Sequence, residues 1–392
     1  MTAETTASYE ALQAQANAIT ELFMSAGYEL VAPAYLQPAD LFLDRMGEAI
    51  RGRTYVFTDM DGAELCLRPD VTLPACRVYL ERHPQADVQA RLCYNGPAFR
   101  YQPGGNDAMG QREFRQAGIE FIGGEDREGV EAEITCLIVD AVRNAGLKEF
   151  TVRIGDLGMF EALIQALDIP ERWRLRLRHF FWRPAAFRDL LNQLSVSPAG
   201  DLSGADVGLI ATLDVDDKDA SEERVAAYLD KAGIPLEGER SLSEITERLL
   251  DRAADSKQPA LSQTTVKLIE SYLAVTGPVW TSLEKIAGMT SDAGVNIAPA
   301  LAAAKTRFEK FEGCGLDLSR FEFSAEFGRS LEYYTGHVFQ IEVPGKGRSG
   351  QIAGGGRYDD LIQGLGAPRS TPAVGSAIHT ERLLAAVNGA GE

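Results

Sequence analysis

The chain has little of what marks several protein classes. None of its apolar runs approaches the roughly 18 residues that cross a bilayer. Its opening, MTAETTASYEALQAQ, has no basic segment followed by an apolar core, so neither a membrane helix nor a secretory leader is expected. Cysteine is scarce: Cys66, Cys76, Cys93, Cys136 and Cys314 contain no CxxC pair. That spacing argues against a zinc site and against a disulfide framework, and leaves buried free thiols in a reducing cytoplasm as the expectation. Positive charge is also short. The formal net charge is −18, and no basic cluster offers the cationic contacts from which phosphate-backbone affinity comes.

What the chain has is bulk and pattern. Its 392 residues, 45% of them apolar, suffice for a large core, and at about 100–200 residues per domain the length suggests two domains. Leu12, Ile19, Leu22 and Phe23 recur at helical spacing ahead of Gly27, predicting a helix stopped by that glycine. RTYVFTDMDGAELCLRPD reads as two strands around a Met-Asp-Gly turn. RLCYNGPAFRYQ and REFRQAGIEFIG are expected to pair as a hairpin across the loop PGGNDAMG, and EGVEAEITCLIVDAVRNAG to form a helix ended by Gly146. A strand, EFTVRIGD, and a helix, MFEALIQALD, follow.

From about Ile169 to Leu318 strand character fades. Tryptophan- and arginine-bearing segments, an acidic stretch and a Ser241–Glu244 capping box predict a helical insertion. RFEFSAEF and HVFQIEV then restore strands. Strands on both sides of an insertion imply one sheet assembled from distant segments, hence an α+β fold with a mostly antiparallel sheet. The expected division is a core in two parts, 1–168 and 319–392, around a mainly helical insertion at 169–318.

Five segments carry polar groups that suit a pocket. In LRPDVTLP, Arg68, Asp70 and Thr72 alternate, which at a strand end would aim them to one face. In AFRYQ and REFRQAGIE, Arg100, Gln116 and Glu120 are expected to line one surface of the paired strands. GRSLEYYTG holds Arg329, Tyr333 and Tyr334. AGGGRYDDLIQGLG sets three glycines before Arg357 and Tyr358, without the GxGxxG spacing of a dinucleotide site. Closely approaching backbones explain such glycines. The last segment, PAVGSAIHTERL, places His379 among small residues.

These segments, in this order, resemble the catalytic domain of class II histidyl-tRNA synthetases. LRPDVT is similar to that family's LRPEGT, and GPAFRYQ with REFRQAGIE to its motif 2. GRSLEYYTG resembles RGLDYYTG, AGGGRYDDL resembles AGGRYDGL, and PAVGSAIHTERL resembles motif 3. The resemblance implies a class II synthetase-like sheet flanked by helices and a pocket for histidine. Asp70, Thr72 and Gln116 match the positions that hold the α-ammonium. Arg329 matches the partner of the α-carboxylate, where a guanidinium gives two parallel bonds. Glu120 and Tyr334, with Tyr358 nearby, match the imidazole contacts, and Arg100 and Tyr333 complete the implied pocket.

The chain departs from the synthetase pattern where ATP and tRNA would be handled. Asp70 replaces the usual glutamate, and Gln102 replaces the glutamate after Arg100. The loop YQPGGNDAMGQ has no lysine or arginine for a triphosphate. His379 stands where a small residue lets adenine lie flat, beside the retained Arg382, and is read as filling space rather than as catalytic. Ten residues follow Arg382, so an anticodon-binding domain is not expected. This pattern resembles the regulatory subunits of ATP phosphoribosyltransferase. It implies a non-catalytic chain without cofactor or metal, partnered by the short-form catalytic subunit and by a second copy of itself, with free L-histidine as ligand and no tRNA. The alternative is a truncated histidyl-tRNA synthetase-like enzyme that activates histidine with ATP.

Overall fold

The computed structural model describes residues 6–43, 46, 48–101, 112–196, 205–234, 241–328 and 333–389. Residues 1–163 and 272–392 form one compact unit, and residues 164–271 form a second. Strands are numbered in chain order: β1 (Glu29–Leu30), β2 (Leu36–Pro38), β3 (Tyr55–Thr58), β4 (Glu64–Leu67), β5 (Ala90–Phe99) and β6 (Glu113–Ile122). They continue as β7 (Thr151–Asp156), β8 (Thr276–Pro278), β9 (Phe321–Ser324), β10 (His337–Glu342), β11 (Gln351–Arg357) and β12 (Ala373–His379).

Nine strands form the main sheet of the first unit, in the order β1-β5-β6-β12-β11-β10-β7-β9-β8. It is mixed. Most neighbours run antiparallel, but β1 pairs with β5, and β7 with β9, in parallel. A small second sheet has the order β2-β4-β3. The expected hairpin is present, with Gly96 opposite Gln116 and Leu92 opposite Glu120. On its other edge β6 meets β12, so strands about 260 residues apart lie side by side, as a sheet built from distant segments requires.

Helices cover the sheet with the faces their sequences make apolar. In the Thr6–Ser25 helix, Leu12, Ala16, Ile19 and Phe23 are buried, the recurrence of a one-sided helix. The Arg127–Asn144 helix is capped by Asp126, which accepts from the Gly129 amide at 2.9 Å. Beyond it, Gly146 adopts φ +102°, a left-handed value that a side chain would strain. Against this helix packs the Ala298–Gly313 helix. Between them Arg307 and Arg357 grip Glu131, and Arg307 also donates to Asp156 at 2.7 Å. Burial alone would raise the Glu131 pKa, but the two guanidiniums outweigh it and hold it at about 2. Burial, reinforced by Arg307, pushes His337 beside them down to about 3, so its ring stays neutral.

Two expectations need correction. The helical block expected over 169–318 is not one body: residues 164–271 stand as their own unit, while the Val279–Asp292 and Ala298–Gly313 helices belong to the sheet unit. Helical periodicity marks a helix but not the body it packs in, and β8 at Thr276–Pro278 is too short to read from pattern. The cysteines also differ. Cys66, Cys76 and Cys93 are free and buried, but Cys136 and Cys314 are joined by a disulfide. Only the packing of two helices brings them together, and no local spacing reports a separation of 178 residues.

The second unit has its own core of Leu209, Ile210, Leu213, Val225 and Ala253. Trp173 is fully buried and donates to the Pro259 carbonyl at 2.9 Å. Ser241 and Glu244 form the expected capping box. Among the described residues of the chain, no helix is long and apolar enough to cross a membrane.

Candidate ligand site

The site lies on the sheet where β6, β12 and β11 run side by side, closed by the start of the Thr72–Arg82 helix. β4 ends at Leu67, and the chain turns sharply before Thr72 opens that helix. Arg68, Asp70 and Thr72 therefore do not alternate along a strand, as expected from sequence. Arg68 turns away and donates to the carbonyls of Pro33 at 2.6 Å and Pro97 at 2.8 Å. Asp70 makes the turn itself, its Oδ1 accepting from the Thr72 amide at 2.8 Å. A side chain this short reaches the backbone two residues on. That local role gives a physical reason for aspartate where the resembled family has glutamate.

Asp70, Thr72, Arg100, Gln116, Tyr333, Tyr334 and Tyr358 line one cavity, together with Gly354, Gly375, Ser376, Ala377 and His379. Seven of the nine residues expected from sequence thus converge. Arg329 lies outside the described residues, as do Gln102 and the following loop through Gln111. Arg100 anchors through Nε to the Pro69 carbonyl at 2.7 Å, with Nη2 3.9 Å from Asp70 Oδ2. Gln116 accepts from the Val71 amide at 3.3 Å. The three tyrosines pack at steep angles to one another, tilted with ring centres 4.8 Å apart for Tyr333 and Tyr334 and edge-to-face at 5.7 Å for Tyr333 and Tyr358.

Glu120 stands one layer behind this wall. It is fully buried, accepting from Tyr94 Oη at 3.0 Å and from the hydroxyl of Tyr358. Tyr94 also contacts Thr72 Oγ1 at 3.3 Å. Burial raises the Glu120 pKa to about 8, an effect that the hydrogen bonds from Tyr358 and Thr72 only partly offset. The pair opposite Glu120 on β12 is Gly375, where a Cβ would sit 1.5 Å from Glu120 Oε2. Only glycine admits the carboxyl there. The β11 glycines serve a similar end: a Cβ on Gly355 would lie 2.2 Å from the Gly375 carbonyl, the close backbone approach expected from sequence.

Two residues of the lining, Gly375 and Ser376, and one behind it, Tyr94, are not among the contacts expected from sequence. Ser376 is buried on β12, and its hydroxyl has no partner among the described residues. Gly375 and Tyr94 shape the pocket through Glu120. The available signal for Tyr94 was Gly118 opposite it in the hairpin, where a Cβ would lie 2.5 Å from the Tyr94 ring. His379 ends β12 opposite Gln116, with its ring 5.0 Å from that of Phe114. Arg100 lies over the same Phe114 ring at 5.0 Å. From the helix that follows, Arg382 donates to the Gln351 carbonyl at 3.1 Å.

A mixed sheet with this hairpin, a terminal strand–helix pair and a pocket on the sheet face defines a class II aminoacyl-tRNA synthetase-like fold. The histidyl-tRNA synthetase family matches residues 5–203 and 223–383. Among solved structures, an ATP phosphoribosyltransferase regulatory subunit/histidyl-tRNA synthetase of Bacillus halodurans aligns with TM-score 0.67 at 22% identity, covering 99% of this chain and 82% of its own. A histidyl-tRNA synthetase from Nostoc aligns with TM-score 0.61 at 18% identity, covering 97% of this chain and 72% of its own. The ATP phosphoribosyltransferase regulatory subunit of Mesorhizobium japonicum is 34% identical over 373 residues, covering 94% of this chain and 95% of its own. That of Chelativorans is 32% identical, covering 93% and 95%. The chain belongs to this family of regulatory subunits, within the histidyl-tRNA synthetase-like proteins.

Proposed function

We propose that the chain is a non-catalytic subunit acting in the first step of histidine biosynthesis. It assembles with the short-form catalytic subunit of ATP phosphoribosyltransferase, activates it, and lets free L-histidine report back on the pathway. The observation that carries this reading is the gathering of Asp70, Thr72, Gln116, Tyr334 and Tyr358 around one cavity. Carboxylate and amide oxygens suit an α-ammonium, and tyrosine hydroxyls suit an imidazole. Arg329 takes the α-carboxylate. The His379 ring lines the same cavity where a purine would enter, which supports amino-acid binding without adenylation. Feedback requires that histidine bind two states of the assembly unequally.

Self-association has its own support. The small sheet and its flanks expose Tyr35, Leu36, Val56, Phe57 and Met60, and clustered exposed apolar side chains mark contact surfaces. The rival reading, a histidine-activating enzyme, draws on Arg100 in the cavity and on the retained Arg382. Reconstitution decides between them. The chain mixed with a short-form catalytic subunit is expected to raise phosphoribosyl transfer to ATP, and L-histidine to lower it. Histidine-dependent exchange of pyrophosphate into ATP by the chain alone would overturn the reading in favour of the enzyme.

A further inference from the structure

The Cys136–Cys314 bond lies outside the pocket, yet it is tied to it. Cys136 is on the Arg127–Asn144 helix, and Cys314 caps the end of the Ala298–Gly313 helix. The bond is open to small thiols from one side: Cys314 is exposed, whereas Cys136 is buried behind the wall of a surface cavity of about 470 Å³ that it lines with Arg91, Glu133 and Asp140. The same two helices carry Glu131 and Arg307 of the buried ion cluster. That cluster ends at Arg357, which bonds Glu131 and holds Asp359 at 2.9 Å. Its neighbour in sequence, Tyr358, is a wall of the pocket and bonds Glu120. Arg357 also accepts through its carbonyl from the Thr335 amide at 2.8 Å, beside Tyr333 and Tyr334. A covalent link, an ionic link and the pocket wall are therefore contiguous within one unit.

We propose that Cys136 and Cys314 form a reversible thiol–disulfide switch that sets how firmly the Tyr333–Tyr358 wall is held, and thereby the affinity of the pocket. The affinity part rests on the reading of the pocket as a site for free histidine; the switch itself does not. In opening, a thiolate of a dithiol reductant attacks the sulfur of Cys314, the exposed residue of the pair, and the protein S–S bond breaks. Cys136 leaves as a thiolate and takes up a proton. The second thiolate of the reductant then displaces Cys314 from the mixed disulfide. Two electrons and two protons pass to the protein, and the dithiol becomes a disulfide. Exposed disulfides are the exchangeable ones, whereas buried structural bridges resist reduction. Closure is the reverse exchange with a small-molecule disulfide.

The test uses the full chain equilibrated with either oxidised or reduced dithiothreitol. Alkylation in denaturant followed by intact mass should count three free thiols in the oxidised protein and five in the reduced one. Hydrogen exchange over residues 333–358 should quicken on reduction, and the L-histidine dissociation constant should change about fivefold or more. Cys314→Ser and, separately, Cys136→Ser should show the exchange rate and histidine affinity of the reduced protein in both buffers. Five alkylated thiols in both buffers would overturn the proposal, as would exchange over 333–358 that ignores the redox state. If histidine binds neither form, the pocket reading fails, and the exchange measurement alone decides the switch.

Discussion

Glu120 shows how much a single residue can set. Its carboxyl is buried behind the pocket wall with its pKa raised to about 8 from the ordinary 4.5. Because the folded value lies above the unfolded one, the group favours the fold fully below pH 4.5 and loses that contribution as pH climbs through 8. Each pKa unit corresponds to about 1.4 kcal/mol. Glu120→Gln removes the titration, so between pH 5 and 8 the wild type should lose melting temperature relative to this variant; parallel curves would show that Glu120 is not so perturbed. Gly375→Ala tests the same carboxyl from the opposite strand. A methyl group 1.5 Å from Glu120 Oε2 forces a shift, expected to cost about 1–3 kcal/mol in chemical denaturation and to weaken ligand binding. The chemical types in the site were legible in the sequence because each lay in a recognisable segment. The layering was not: nothing in REFRQAGIE tells whether Glu120 faces the cavity or stands behind the tyrosines that line it.

At the scale of elements, the Glu131 cluster joins two helices to the sheet. Glu131→Ala would leave Arg307 and Arg357 buried without their shared carboxylate. Loss of one partner from such a group costs about 3–5 kcal/mol, so equilibrium denaturation should show a large loss of stability; a change under about 1 kcal/mol would mean water reaches the guanidiniums. Most elements were readable because their cause is local. Periodicity marked the Thr6–Ser25 and Arg127–Asn144 helices, and alternation with a glycine-rich loop marked the β5–β6 hairpin. The turn at Asp70 was misread as strand because Arg68, Asp70 and Thr72 satisfy a period of two by coincidence. The two-residue β1 and three-residue β8 carry too few side chains to show any period.

At the scale of the molecule, the sheet unit brings segments from both ends of the chain together, while residues 164–271 fold around a core of their own. Sequence showed that the sheet had to be assembled from distant parts, but not which helices after residue 271 returned to it, since that depends on tertiary packing. What we propose of the whole chain is an amino-acid pocket that operates without nucleotide chemistry. Calorimetric titration of L-histidine into the purified chain, with and without ATP, tests it most directly. One histidine site per chain is expected, with an affinity indifferent to ATP and weakened at least about tenfold, or roughly 1.4 kcal/mol, in Asp70→Ala and in Arg329→Ala. No heat with histidine, or binding that appears only when ATP is present, would contradict it.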